Sequence, residues 1–389
     1  MAQSPRKLFE EVGTGTRAPT PQGGMIETRS GGGARGWIRA WLAVLFVMVM
    51  VMIAVGGATR LTDSGLSITE WKPVTGALPP TSQDDWQRAF DLYQQSPQYR
   101  LMNSEMTLQG FKSIYWWEWG HRQLGRAIGL VWALGFFGFL AARKIPAGWT
   151  GRLFALGVLG GLQGAIGWWM VASGLTGDMT SVASYRLATH LGLAFAILGS
   201  IAWFFLSLGR PEAALLQARR QREAKLYGMA TGLLHLAFLQ VLLGALVAGI
   251  DAGRAFPTWP SMNGEFFPSD AFYLPQADGS NAPAWRAFFE SAGLTQFIHR
   301  MVAYLLVVFG LVVWNRGRRS PHAQTRGAFH AMAVMLAVQV ALGIMTAVHA
   351  APLGLGLAHQ VGAVILFTLI LRARHAAQYP HVQSLRGAR

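Results

Sequence analysis

Predominantly apolar stretches of about twenty residues occur eight times along the chain, at roughly 37–58, 122–142, 152–172, 186–208, 226–249, 297–315, 327–349 and 354–372. Each is long enough to cross about 30 Å of hydrocarbon as a helix. The pattern predicts an all-α polytopic membrane protein with eight transmembrane helices. The polar intervals sort into two kinds. The tail to residue 40 and segments 141–152, 209–225, 315–326 and 372–389 hold 22 of the 33 Lys and Arg residues, and they alternate along the chain. The positive-inside rule then places both termini in the cytoplasm, or in the matrix for a mitochondrial protein. The opposite side carries two long connections, 59–120 and 250–296, and two short ones, 173–185 and 350–353, the last containing the turn Ala350-Ala351-Pro352.

Long, short, long, short is the order expected of a duplicated four-helix unit, and residue identities agree. Gln296-Phe297-Ile298-His299-Arg300 repeats Glu118-Trp119-Gly120-His121-Arg122 at an offset of 178, and Gln163-x-x-x-Gly167 recurs as Gln339-x-x-x-Gly343. Even-numbered repeats keep one orientation, so the halves should be related by a pseudo-two-fold axis along the membrane normal. The expected organisation is a disordered cytoplasmic tail over 1–36, an N-terminal four-helix half over 37–208, a cytoplasmic linker over 209–225, a C-terminal half over 226–372 and a second tail over 373–389. The Gly-, Pro- and Arg-containing residues before 37 lack the apolar core of a signal peptide, so the first apolar run reads as a retained helix.

Composition narrows the chemistry. Hydrophobic residues make up 52% and charged residues 13% of 389 positions, which excludes a soluble fold. The net charge of +15 lies in short segments between apolar runs rather than in one stripe, so it marks orientation in a lipid bilayer, not nucleic-acid binding. With no cysteine present, disulfides, thiolate zinc sites, iron–sulfur clusters and thiol catalysis all drop out. Histidine becomes the ligand to consider. The exterior-side Trp116, Trp117, Trp119, Trp168 and Trp169 suit an interfacial aromatic belt, and recurrent Gly and Ala permit close helix approach.

Four of the ten histidines fall at matching places. His121 opens span two, His190 lies near the start of span four, His299 opens span six and His359 lies one turn into span eight. Every even span begins on the outer side, so all four share a depth near that face. A lone intramembrane histidine commonly just hydrogen-bonds a neighbouring helix, but four at equivalent positions of a repeat ask for a common explanation. Zinc or copper would want three or four clustered ligands, whereas one imidazole from each of two helices suits the axial positions of a haem. Gly125 and Gly129 after His121, and Gly356, Gly362 and Ala363 around His359, leave room for a flat macrocycle. His322, His375 and His381 fall in cytoplasmic segments, His330 near the inner end of span seven, His235 alone in span five, and His349 on the outer side without a counterpart. Candidate propionate partners are Arg60, Arg122, Arg126, Arg186 and Arg300, against the alternative that such arginines snorkel to lipid phosphate.

One difference separates the halves: Glu118 becomes Gln296. Glu118 lies three residues before His121, about one turn or roughly 4.5 Å along a helix. A carboxylate beside a bound macrocycle can relay protons or stabilise positive charge, and an amide cannot. The competing reading is an i, i+4 pair with Arg122 or a helix cap. The asymmetry points to chemistry in the first half and electron transfer in the second.

The chain resembles the haem A synthase family over about residues 37–375. The resemblance rests on Gly56-Gly57-Ala58-Thr59-Arg60-Leu61-Thr62-x-Ser64-Gly65-Leu66-Ser67 running to Trp71-Lys72-Pro73, on Phe111-Lys112-x-Ile114-Tyr115-x-x-Glu118-x-x-His121-Arg122-x-x-Gly125-Arg126, and on His190, Phe297-Ile298-His299-Arg300 and Ala358-His359-Gln360. It implies a haem b cofactor held by His299 and His359, a substrate haem O served by His121 and His190, and Glu118 as catalytic carboxylate. It further implies oxidation of one methyl group of haem O to a formyl group, with water as the oxygen source, giving haem A for cytochrome c oxidase. Candidate partners are haem O synthase and cytochrome c oxidase assembly proteins, and self-association stays open. Some members carry a cysteine pair in the first outer loop; this chain resembles the cysteine-free subtype of mitochondria and related bacteria. Its short polar N-terminus points to a bacterial inner membrane, with the haem sites towards the periplasm. The alternatives are a bis-histidine b-type cytochrome shuttling electrons from a quinol, and a haem transporter built on a duplicated bundle.

Overall fold

The computed structural model describes residues 32–381 except 178 and 277. Most of the expected N-terminal tail, and residues 382–389 of the C-terminal one, lie outside the described residues. Eight long helices are present: α1 (Gly32–Leu61), α2 (Leu108–Ala141), α3 (Thr150–Ser173), α4 (Ser184–Ser207), α5 (Ala224–Gly249), α6 (Ala292–Gly317), α7 (Ala323–Val348) and α8 (Leu353–Gln378). All eight are long and apolar enough to cross a bilayer, and there is no β-strand among the described residues. The chain is a multi-pass helical membrane protein.

Local chemistry sets where the helices start. Thr107 caps α2 by accepting the Gly110 N–H at 3.2 Å, and Ser291 caps α6 by accepting the Leu294 N–H at 3.2 Å. The α7–α8 connection is tight because Ala350 and Ala351 both take positive φ, 56° and 52°, and Pro352 precedes the first turn of α8. Helix boundaries depart from the apolar runs at several places. α1 already begins at Gly32, α8 continues to Gln378, and the linker over 209–225 contains a short helix, Glu212–Arg220.

The largest departure is α2, which starts at Leu108 rather than near residue 122. Its 34 residues span about 51 Å, more than the hydrocarbon needs. The extra turns are aromatic and polar and pack against a loop helix, Gln83–Gln94, through a cluster of Trp86, Phe90, Tyr93, Phe111 and Tyr115. Ser82 and Asp85 form a reciprocal capping box that starts this loop helix. The connection between α1 and α2 is therefore a folded cap on the N-terminal end of α2.

Close helix approach follows from glycine facing a large ring. Trp41 of α1 donates its indole N–H to Val131 O at 3.0 Å, and a Cβ at Gly135 would sit 2.1 Å from that nitrogen. Trp132 of α2 likewise donates to Leu153 O at 3.1 Å and fills the space above Gly157 in α3. Helix pairings recur between the halves: α1 with α2, α3 with α4 and α1 with α4 match α5 with α6, α7 with α8 and α5 with α8. The halves meet through α1, α4, α5 and α8. Phe195 packs edge-on to Phe367 at 5.4 Å, and Gln360 of α8 donates to Ile53 O of α1 at 3.0 Å over the bare backbone of Gly57. At the C-terminal end of α1 Arg60 bridges Asp63 at 2.7 Å and Asp251, which follows α5, at 2.6 Å.

Candidate functional site

Four helix pairs each set one histidine against a glycine, three of them with the Cε1 edge of the ring and His121 with its Nε2 and Cδ2 edge. His121 on α2 lies against Gly56 of α1, His190 on α4 against Gly167 of α3, His299 on α6 against Gly244 of α5, and His359 on α8 against Gly343 of α7. A Cβ at these glycines would stand 3.2, 2.9, 3.1 and 3.0 Å from the respective ring. The even helix supplies the imidazole and the preceding odd helix supplies a notch for it. All four contacts lie towards the end of the bundle that carries the long connections 59–120 and 250–296. Two of the four histidines lie on the first four long helices and two on the last four.

A second feature recurs one turn along the odd helices. Gln163 donates through Nε2 to His190 O at 3.0 Å with the ring Nδ1 at 3.2 Å; Gln240 reaches His299 O and Nδ1, both at 3.0 Å; Gln339 reaches His359 O at 2.9 Å and Nδ1 at 3.1 Å. The Gln163 and Gln339 motifs are visible in the sequence as Gln-x-x-x-Gly. Gln240-x-x-x-Gly244 completes the set and went unread, although its spacing is identical. The place of glutamine in α1 is taken by Met52, whose methyl group lies against the position of Gly125 in α2.

These residues fit a haem on observations of the fold itself. The Oε1 atoms of Gln163, Gln240 and Gln339 are buried without a hydrogen-bond partner, each beside an imidazole. No cluster of three or more His, Cys, Asp or Glu able to hold a bare metal ion occurs among the described residues, so the donor set is two imidazoles per half. His299 and His359 could hold a resident haem, and His121 and His190 could hold a second.

Glu118 is 3% exposed and each of its oxygens is engaged. Oε2 accepts the Ser67 hydroxyl and the Ile68 N–H, both at 2.8 Å, and Oε1 accepts Arg122 Nη2 at 2.6 Å. The i, i+4 pair with Arg122 weighed from sequence is present, together with two loop donors that the sequence did not reveal. Arg122 also donates to Ile68 O at 2.8 Å and Glu70 O at 3.1 Å, while Arg126 donates to Lys72 O and Pro73 O at 3.0 and 2.9 Å. Segment 66–73 is thus a strap laid across α2 and fastened by Glu118, Arg122 and Arg126. Gln296 sits at the matching place in α6, 4% exposed, with its Oε1 unpartnered. Arg300 repeats the fastening of Arg122 by donating to Phe256 O at 2.9 Å and Ser261 O at 3.2 Å.

The five arginines considered for propionates are therefore all in use within the protein. Arg60 pairs with Asp63 and Asp251, Arg122, Arg126 and Arg300 hold the loops that precede α2 and α6, and Arg186 donates to Trp169 O at 2.7 Å with its guanidinium over the Trp169 ring. Arg60 and Arg186 each keep one buried Nε donor without a partner. Among the other histidines, His349 and His235 are exposed and hydrogen-bond carbonyls of their own helices, at Met345 and Thr231. His330 accepts from Trp314, and His375 lies within the last turns of α8, buried against Trp203. None of these joins the four-histidine arrangement.

The family pattern described as COX15-CtaA, cytochrome oxidase assembly protein, matches residues 39–371. The chain belongs to this family. Among curated proteins it is 65% identical to a heme A synthase of Paracoccus denitrificans over 98% of each chain. It is 64% identical to that of Ruegeria pomeroyi over 99% of this chain and 100% of the relative, and 62% identical to that of Cereibacter sphaeroides over 99% of each.

Proposed function

We propose that this protein is a haem A synthase, an oxidoreductase that converts haem O to haem A. The observation that carries the reading is near-full-length identity to proteins of that name, joined to a paired-histidine arrangement that suits two haems. Within it, His299 and His359 hold a resident haem b, which supplies one-electron redox chemistry when bound. His121 and His190 bind the haem O substrate in the first half. The two halves then work as a substrate unit over 37–208 and a cofactor unit over 226–372, in a bacterial inner membrane with both termini cytoplasmic and the sites towards the periplasm.

Glu118 is the carboxylate of the substrate half. Arg122 and the loop donors fix its position, so that it can stabilise positive charge developing on the substrate or take a proton once a donor is withdrawn. Gln296 keeps the shape without the charge, which suits a half that only passes electrons. The b-type cytochrome and transporter readings give no account of this difference. Haem extracted from purified protein after co-expression with a haem O source tests the proposal by chromatography. Haem A should accumulate, and folded, haem-loaded protein that yields only haem O would refute it.

A further inference from the structure

Three of the four histidines are held by a glutamine and one is not, and the exception falls in the substrate half. Gln163, Gln240 and Gln339 each lie one turn before the notch glycine and place an amide nitrogen against the backbone carbonyl and the ring Nδ1 of the facing histidine, with Gln163 and Gln240 also 3.3 and 3.2 Å from ring Nε2. Met52 holds the corresponding place before Gly56, and no hydrogen bond to the His121 ring is formed among the described residues. The ring without a glutamine is also turned: His121 presents Nε2 and Cδ2 to its notch glycine, where the other three histidines present Cε1 and Nδ1.

A histidine that binds iron through Nε2 carries its proton on Nδ1, and that proton needs an acceptor. With Nε2 kept on the histidine carbonyl, a rocking of each glutamine amide brings Oε1, now buried without a partner, towards Nδ1. Such a partner fixes the ring, fixes the tautomer and makes the imidazole a stronger donor; losing it commonly costs about 10- to 100-fold in affinity. The thioether of Met52 is only a weak acceptor and leaves the His121 ring free to turn.

We propose that Gln163, Gln240 and Gln339 are positioning residues that lock three axial histidines, and that Met52 leaves His121 as the one exchangeable ligand. This rests on the haem A synthase reading, and deepens it: substrate haem stays on His190 while His121 lets go, so haem O can enter and product can leave. Locked ligands on both sides suit the resident haem, which must stay.

Carbon monoxide is a probe for a released axial position, because it binds ferrous haem only where a ligand leaves. Full-length protein purified with haem O supplied is reduced, and the rate and amplitude of the Soret change on adding carbon monoxide are recorded. One of its two haems should react. Met52→Gln should slow that reaction by about tenfold or more at unchanged haem content. The reverse swap, Gln240→Met, should create a second carbon monoxide-reactive haem, and Gln339→Met gives the same test from the other helix of that half. Unchanged reactivity in Met52→Gln, or no new reactive haem in both methionine variants while haem is retained, would overturn the proposal. Absence of two haems from the wild-type protein would instead overturn the functional reading on which it rests.

Discussion

Glu118→Gln changes one atom and separates the strap from its fastening. The carboxylate accepts from Ser67, from Ile68 N–H and from Arg122. A glutamine can turn its Oε1 towards Ser67 and Ile68 and keep two neutral bonds, but its NH2 group then faces the guanidinium and the third bond is lost. Breaking a fully buried ion pair costs about 3–5 kcal/mol. Arg122 retains its bonds to Ile68 O and Glu70 O and is 17% exposed, so the loss is smaller. One charge-assisted bond plus weakening of the other two gives about 2–3 kcal/mol. Through the local opening equilibrium, amide exchange at Ile68 should accelerate about 30- to 150-fold. Hydrogen exchange read by mass spectrometry on the peptide covering 66–73 measures this directly. Exchange within about threefold of wild type would refute the claim that Glu118 fastens the strap.

Other perturbations have equally definite outcomes. Gly157→Ala puts a methyl group 2.0 Å from the Trp132 ring and should destabilise by about 1–3 kcal/mol, seen as a lower thermal midpoint in detergent; an unchanged midpoint would mean α2 and α3 can separate freely. Gly343→Ala places a methyl 3.0 Å from His359 and should disturb the spectrum of the haem in the second half while leaving the first unaffected, whereas a change confined to the first half would contradict the pairing. Burial raises the pKa of the Tyr93 hydroxyl, which donates to Gln98 at 3.0 Å and accepts from Asn103 at 2.8 Å. Its neutral form is therefore favoured by the fold: that stabilisation is complete below about pH 10 and is lost as pH rises through the higher folded value. Tyrosinate absorbance should show a late-titrating group that is missing in Tyr93→Phe, and identical titrations would refute its burial. Asp251→Asn removes a half-exposed partner of Arg60 and should cost under about 1 kcal/mol, with a loss of several kcal/mol showing that this bridge carries the contact between halves.

The apolar runs made all eight spans and the four key histidines legible because lipid imposes length and hydropathy on each crossing helix. Hydropathy could not reveal the outer turns of α2. Leu108–Gly120 is held by the aromatic cluster around Trp86 and Phe111 rather than by lipid, although Thr107 and the Ser82–Asp85 box mark helix starts by local chemistry. The strap was illegible for another reason: Ser67 and Ile68 meet Glu118 only through tertiary folding, and Ile68 takes part with its backbone. The arginines show the limit of counting charges near an interface. Arg122 and Arg300 are repeat-related in the sequence, but their shared task of gripping loop carbonyls depends on where residues 68–70 and 256–261 return. Gln240-x-x-x-Gly244 has the same spacing as Gln163-x-x-x-Gly167 and Gln339-x-x-x-Gly343, and like them it meets the histidine of the following helix, a contact that only the folded chain makes visible.

The assignment of one haem to each half is tested most directly by the haem content of three proteins purified with haem O supplied: wild type, His121→Ala and His299→Ala. The wild type should carry haem b together with haem O or haem A. His121→Ala should retain haem b and lose most of the substrate and product haem, while His299→Ala should lose haem b and form no haem A. Loss of the same haem from both variants would contradict the account.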